Sequence, residues 1–315
     1  MEIIFDADGR PHGPLAAPPP RREAKKTQAE REKMAKEVQL PLKSWPQGIR
    51  LPFVLTFEHN TGEAAPNRPG DRPNANYFGQ MEYGGRRGVW NVLEMLDVLG
   101  IKSTFFISGA TAEKFPDTVL AAKKAGHEIA AMGYSFEKVR TVSPERERAI
   151  VRRSVKAIKD VCGADTEIKG WRTPDYRISP HTFDVLTSEG FTWDSSMLND
   201  DLPYQMECDD GKRILEIPFT TTTSEKSHVA FPYPMRGGPA GVASVWNNEF
   251  DILYRESDKA PRFLILSLQT WAAGRPTPLR TLKTFLTRVI AHNDVQFTQC
   301  SDIAGWCNDV AGKKH

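Results

Sequence analysis

From Leu51 onward the chain alternates short apolar runs with longer segments whose apolar residues recur at helical spacing, and this alternation leaves few folds open. Residues 51–60, 102–107, 127–131, 167–172, 191–194, 214–219, 263–268 and 295–298 read as strands. Between them Val89, Val92, Leu93 and Leu96 mark a helix stopped by Gly100, and residues 111–125 mark another. Ser143-Pro144 opens a third, with Ser as cap and Pro in the first turn, and Val151, Val155 and Ile158 continue its stripe. Ser179-Pro180 opens a fourth, and helices near 246–256 and 278–292 fill the remaining gaps. Strands that alternate with helices pair in parallel and are covered on both faces. About seven or eight such units in roughly 260 residues suit a closed (β/α) barrel better than an open dinucleotide fold. No G-x-G-x-x-G follows the first strand and no P-loop appears. The run Gly84-Gly-Arg-Arg-Gly88 could hold an anion at a helix N-terminus, but a structural turn is the simpler reading.

Residues 1–45 stand apart. Pro18-Pro19-Pro20 stiffens them, and residues 21–37 mix both charges with few apolar side chains. Such a segment cannot bury enough surface to offset its ordering entropy. The expected organisation is therefore an irregular N-terminal extension, 1–45, and a barrel domain, 46–315. A net charge of +2 gives no field that would select nucleic acid or an anionic membrane. No apolar run reaches the length of a membrane span, and the first residues lack a basic start with an apolar core. Cys162, Cys208, Cys300 and Cys307 form no C-x-x-C pair, which suits reduced thiols in a cytoplasmic protein.

In a parallel α/β architecture, reacting groups collect at the C-terminal ends of the strands. Glu58-His59-Asn60 ends the first strand, and a carboxylate beside an imidazole can supply a general base, a general acid or both. The plainer alternative is a polar loop start with a satisfied histidine. His127 reads as a buried structural histidine. Trp171-Arg172-Thr173-Pro174-Asp175 ends another strand, where the planar fork of Arg172 suits a carbonyl, a carboxylate or a neighbouring acid. Asp201-Leu-Pro-Tyr204 and the hydroxyl-rich run Thr220-Thr-Thr-Thr-Ser-Glu225 are further loops, and Gln269-Thr-Trp271 offers an amide beside an aromatic face as the floor for a small planar ligand.

The order and local sequence of these blocks resemble the polysaccharide deacetylase superfamily. Thr56-Phe57-Glu58-His59 resembles its T-F-D-D-G block, in which the first acid acts as base and the second binds metal. Gly126-His-Glu-Ile-Ala-Ala-Met-Gly-Tyr-Ser-Phe136 resembles its second block, which carries two metal-binding histidines where this chain has Met132 and Phe136. A thioether and a phenyl ring cannot replace imidazoles on a divalent metal, so no metal and no other cofactor is expected. Tyr83-Gly-Gly-Arg-Arg-Gly-Val-Trp90, Asp194-Ser, Asp201-Leu-Pro-Tyr204, Ile217-Pro-Phe219 and Gly274-Arg-Pro276 look like landmarks of the branch containing metal-independent allantoinases and cyclic imide hydrolases. The resemblance covers about residues 50–310. It implies a deformed (β/α) barrel, hydrolysis of a non-peptide C–N bond in a small amide or imide, and a homo-oligomer. That branch usually keeps a histidine where this chain has Gln269, and an Asn-Asp where it has Ser224-Glu225. On this reading Glu58 is the base, His59 its acid partner or orienter, and Arg172 the group that polarises the carbonyl or holds the substrate. Trp171, Asp175, Tyr204, Glu225, Gln269 and Trp271 are the expected substrate-binding residues. The competing expectation is an inactive barrel relative that serves as a binding or partner subunit.

Overall fold

In the computed structural model, the described residues are 35–46, 48–63, 75–226 and 237–312. The first long strand shows why the chain forms a barrel. Leu51–His59 is buried along its whole length, and Val54, Thr56, Phe53 and Phe57 favour a pleated backbone. Successive side chains of a strand point to opposite faces. Phe53, Leu55 and Phe57 accordingly join one apolar cluster with the helices, while Val54 joins another with Phe106, Met132, Trp193, Ile217 and Ile265. The first cluster lies between sheet and helices, and the second fills the barrel. Each Phe or Leu in these layers contributes roughly 1.5–3 kcal/mol by its burial.

Ten strands are described: β1 Lys36–Val38, β2 Leu51–His59, β3 Thr104–Ile107, β4 Glu128–Ala131, β5 Gly170–Trp171, β6 Trp193–Asp194, β7 Tyr204–Glu207, β8 Arg213–Glu216, β9 Leu264–Gln269 and β10 Val295–Thr298. They run in the order β1-β7-β8-β6-β5-β4-β3-β2-β10, and β9 also pairs with β2. The row from β8 through β2 to β9 is parallel, whereas β1 and β7 add antiparallel pairs beside β8. Both β9 and β10 pair with Phe53 and Val54, so they occupy opposite edges of β2. Among the described residues no pairing joins β8 to β9. A cavity of about 450 Å³ lies at that seam, between Pro218–Thr220 and Phe263–Ile265. The barrel is thus deformed, as expected, but among the described residues it is open between β8 and β9, where the sequence reading had it closed.

The helix Cys300–Gly312 closes the N-terminal end of the barrel. Cys300, Ile303, Ala304 and Cys307 join the inner cluster. Its first turn is capped by groups that begin strands: Cys300 N–H donates to Thr104 Oγ1 at 3.0 Å and Ser301 N–H to Glu128 Oε2 at 3.2 Å. A carboxylate at a helix N-terminus offsets the unpaired N–H groups and the helix dipole. The functional end is therefore the opposite one, where the strands finish.

Several boundaries differ from the sequence reading. The compact unit begins at Ala35, earlier than the expected 45/46 boundary. Lys36–Val38 pairs with β7, and the Trp45 indole N–H donates to Arg262 O at 2.7 Å with the ring edge-on to Phe263 and Trp306. Residues 1–34 of the expected extension lie outside the described residues. The helix read over 111–125 is two, Gly109–Lys114 and Pro116–Lys124, because Pro116 cannot continue the first. Ser143 caps the helix Pro144–Cys162 as read, accepting from Arg146 N–H at 3.3 Å. Ser179 does not open its helix. It donates to the buried Glu147, and the helix starts at Thr182. The glycine run Gly84–Gly88 is a π-helical turn packed on residues 270–274. No described helix is long and apolar enough to cross a membrane.

Candidate active site

Glu58 is the penultimate residue of β2 and faces the barrel interior. Its side chain is 2% exposed. Tyr176 Oη donates to Oε1 at 2.8 Å, Ser267 Oγ lies 3.4 Å from the same oxygen, and Gln269 Nε2 donates to Oε2. A buried carboxylate needs a compensating charge. Arg172 supplies it, with Nη1 at 3.6 Å from Glu58 Oε1.

Arg172 is itself fixed on every side. It follows β5 and is fully buried. Its Nε donates to Ser195 O at 2.7 Å, Nη2 to Ser195 Oγ at 2.7 Å, and Nη1 to Ser267 Oγ at 2.9 Å and Thr56 Oγ1 at 3.2 Å. The rings of Phe106 and Phe219 stack on the guanidinium, with centroids at 3.9 and 4.3 Å. Its donors are thus spent on the protein. Arg172 balances and orients Glu58, where the sequence reading gave it a substrate carbonyl.

Gln269, the last residue of β9, joins two carboxyl groups. Its side chain donates to Glu58, and its backbone N–H donates to Glu225 Oε1 at 2.7 Å. Its side-chain oxygen accepts from Asn60 Nδ2 at 3.0 Å. Glu225 is fully buried, and burial, with a smaller push from the Glu58 charge, raises its pKa to about 8. Among the described residues its Oε2 has no hydrogen-bond partner, nor does Asn60 Oδ1. The loop that carries Glu225 is pinned by Trp246, whose indole N–H donates to Thr223 O at 2.7 Å.

Two residues that complete this network were not singled out by sequence reasoning. Asn60 was seen only as a strand end. Tyr176 reaches Glu58 because Asp175 and Tyr176 both take left-handed backbone angles, φ 55° and 57°. Phe136, at φ 63°, is the third non-glycine of that kind among the described residues, and it packs with Tyr176 on the inner cluster. Such conformations cost roughly 1–3 kcal/mol each and persist where the surroundings impose them. No local sequence signal announces them.

Other expected site residues lie elsewhere. His59 follows Glu58 in the strand and so points to the opposite face. Its Nε2 is 2.8 Å from Thr118 Oγ1 and its Nδ1 2.9 Å from Thr270 Oγ1. The Thr118 hydroxyl already donates to Phe115 O at 2.7 Å, so Nε2 carries the proton and Nδ1 accepts. Burial lowers the His59 pKa to about 3, and the ring is neutral. It does not reach Glu58. Trp171 faces outward by the same period of two, edge-on to Phe191, with its N–H on Thr173 Oγ1 at 3.1 Å. Asp175 is exposed and pairs with Arg177 at 3.0 Å. Tyr204 is buried in β7, donating to Asn199 Oδ1 at 2.8 Å. Trp271 lies in the turn Thr270–Ala273 against Gly84, its indole N–H without a partner among the described residues, and no described contact links it to Glu58. His127 is buried beside Phe105, accepting from Ser103 N–H at 3.2 Å, as a structural histidine would.

A metal does not fit this donor set. Met132 is fully buried in the inner cluster, Phe136 packs against it, and the His59 ring is committed to two threonines on the outer face. Among the described residues no group of three or more His, Cys, Asp or Glu is placed to hold an ion.

Comparison with known proteins agrees with this architecture. The family profile Polysaccharide deacetylase matches residues 78–193. A peptidoglycan deacetylase of Helicobacter pylori is 24% identical over 250 residues, 70% of this chain and 84% of that protein. A solved Mycobacterium smegmatis structure superposes with a TM-score of 0.78 at 26% identity, covering 87% of this chain and 95% of its own. The crystal structure of Puue allantoinase superposes with a TM-score of 0.75, also at 26% identity, covering 86% of this chain and 94% of its own.

Proposed function

This chain belongs to the polysaccharide deacetylase superfamily, and we propose that it hydrolyses a non-peptide C–N bond in a small amide or imide, cyclic or linear, without a metal ion. The observation that carries the reading is the Glu58 carboxylate. It lies at the C-terminal end of a barrel strand, is oriented by Tyr176 and Gln269, and is charge-balanced by Arg172. In that role Glu58 takes a proton from water as the oxygen adds to the substrate carbonyl carbon. Two similar proteins, a sequence relative named a peptidoglycan deacetylase and a structural neighbour named an allantoinase, support C–N hydrolysis as the reaction class. The reading includes a small-molecule substrate, a cytoplasmic location and assembly into a homo-oligomer.

A second reading, an inactive binding or partner subunit, is favoured by one observation: Met132 and Phe136 fill the inner cluster where the superfamily places imidazoles. One experiment separates the two. Wild type and Glu58→Gln are incubated with allantoin, hydantoin, succinimide, 2-pyrrolidinone and an N-acetylglucosamine oligomer, and products are followed by NMR. The hydrolase reading expects turnover of at least one compound, falling about 10²–10⁴-fold in Glu58→Gln while the fold is kept. Turnover of none promotes the binding subunit.

A further inference from the structure

Within the pair of carboxyl groups joined by Gln269, Glu58 and Glu225 have unlike surroundings. Both Glu58 oxygens accept hydrogen bonds, and a guanidinium stands beside it. Glu225 has one satisfied oxygen, no described ion pair, and a second oxygen that is buried and, among the described residues, unpartnered. A buried carboxyl group without a cation holds its proton, and a hydroxyl needs an acceptor. We propose that Glu225 is the proton donor of this site, delivering the hydrogen of its free oxygen to the leaving nitrogen of the substrate. The assignment rests on the hydrolase reading for its substrate but on the network for its chemistry.

The step balances. Glu58 takes one proton from water as the C–O bond forms and the carbonyl becomes a tetrahedral alkoxide. Collapse of that alkoxide breaks the C–N bond, and the nitrogen leaves with the Glu225 proton. Glu58 then gives its proton up to solvent and Glu225 recovers one, so water is the only co-reactant. Two carboxyl groups in unlike environments, one beside a cation and one without, suit such a division of roles. The raised pKa of Glu225, about 8, agrees with it. Gln269 sets the spacing, because its backbone holds one carboxyl and its side chain the other. The pinning of the loop by Trp246 keeps Glu225 from swinging to solvent.

The test has two arms. In the first, infrared difference spectra of the purified protein are recorded from pH 6 to 9. A neutral-carboxyl band that disappears as the pH passes about 8 is expected in wild type and is missing from Glu225→Gln. A spectrum unchanged by the substitution overturns the proposal, whatever becomes of the substrate reading. In the second, kcat is measured against pH on whichever of the five compounds is opened. Glu225→Gln should lose about 10²–10⁴-fold and the alkaline limb of the profile. Glu225→Asp, which keeps the carboxyl group but shortens the reach, should retain a titrating carboxyl band and still lose turnover. Retention of the alkaline limb in Glu225→Gln would place the acid elsewhere. If no compound is opened, the hydrolase reading falls and the infrared arm alone decides the protonation of Glu225.

Discussion

The ring of His59 is closed on both sides by threonine hydroxyls, and this makes its role testable apart from Glu58 beside it in sequence. The folded pKa is about 3 against an unfolded value of 6.5, so the folded ring stays neutral while the unfolded chain binds a proton. Stability from this group is fully present above pH 6.5 and is lost as the pH falls toward 3, at up to about 1.4 kcal/mol per pH unit. Urea midpoints at pH 7, 5.5 and 4 should fall more steeply for wild type than for His59→Gln. Where both are folded, their kcat values should agree within about threefold, since the imidazole faces the helices and Glu58 the barrel. A His59→Gln enzyme that is inactive at pH 7 with a normal urea midpoint would restore the histidine to the chemistry. Neighbours in a strand cannot share a face, and the sequence reading, which placed His59 with Glu58 and Trp171 with Arg172 in one site, did not apply that rule. That Arg172 suits a neighbouring acid was read from the sequence, but not that the acid is Glu58, because the two lie on different strands. Tyr176 was not, since its approach depends on two left-handed residues that no periodicity encodes.

Among the elements, the π-helical turn Gly84–Gly88 is the one whose geometry most directly supports the site. A Cβ on Gly88 would stand 2.2 Å from Thr270 O, and one on Gly274 would stand 2.3 Å from Gly88 O. Backbone meets backbone there, directly after the β9 residue that holds both carboxyl groups. Gly88→Ala should therefore cost about 1–3 kcal/mol through overpacking, and it should lower kcat by displacing Gln269. Gly79 provides the control. It lies exposed in the helix Ala75–Tyr83 with nothing within 4 Å of an added Cβ, so Gly79→Ala should gain about 0.5–1 kcal/mol. Equal stability changes in the two variants, measured by chemical denaturation, would sink the close-packing account. The sequence run announced a turn, and it was one. Its π-helical form depends on the approach of residues 270–274, almost two hundred positions away, which a local pattern cannot carry. The same holds for the β1–β7 pairing, which drew residues of the expected extension into the sheet.

At the scale of the whole barrel, the question is what compensates the charges that collect at the open end. In a metal-built site a divalent ion would do so, and its ligands would have to be imidazoles and carboxylates on the inner face. Here that face carries Met132 and Phe136, with the Arg172 guanidinium against the rings of Phe106 and Phe219 and beside Glu58. The positive charge is covalent, and it cannot be removed by a chelator. A tightly bound ion adds RT ln(1 + [L]/Kd) to folding stability, so its removal would lower the melting temperature. This protein should instead melt at the same temperature, within about one degree, with or without EDTA, and should contain well under one zinc, cobalt or nickel per chain by elemental analysis. Arg172→Met, by contrast, should destabilise it by about 3–5 kcal/mol, because the Glu58 carboxylate would be left buried without its cation. One firmly held metal per chain, lost together with several degrees of melting temperature on chelation, would mean that the charge at this barrel mouth is balanced by an ion and not by Arg172.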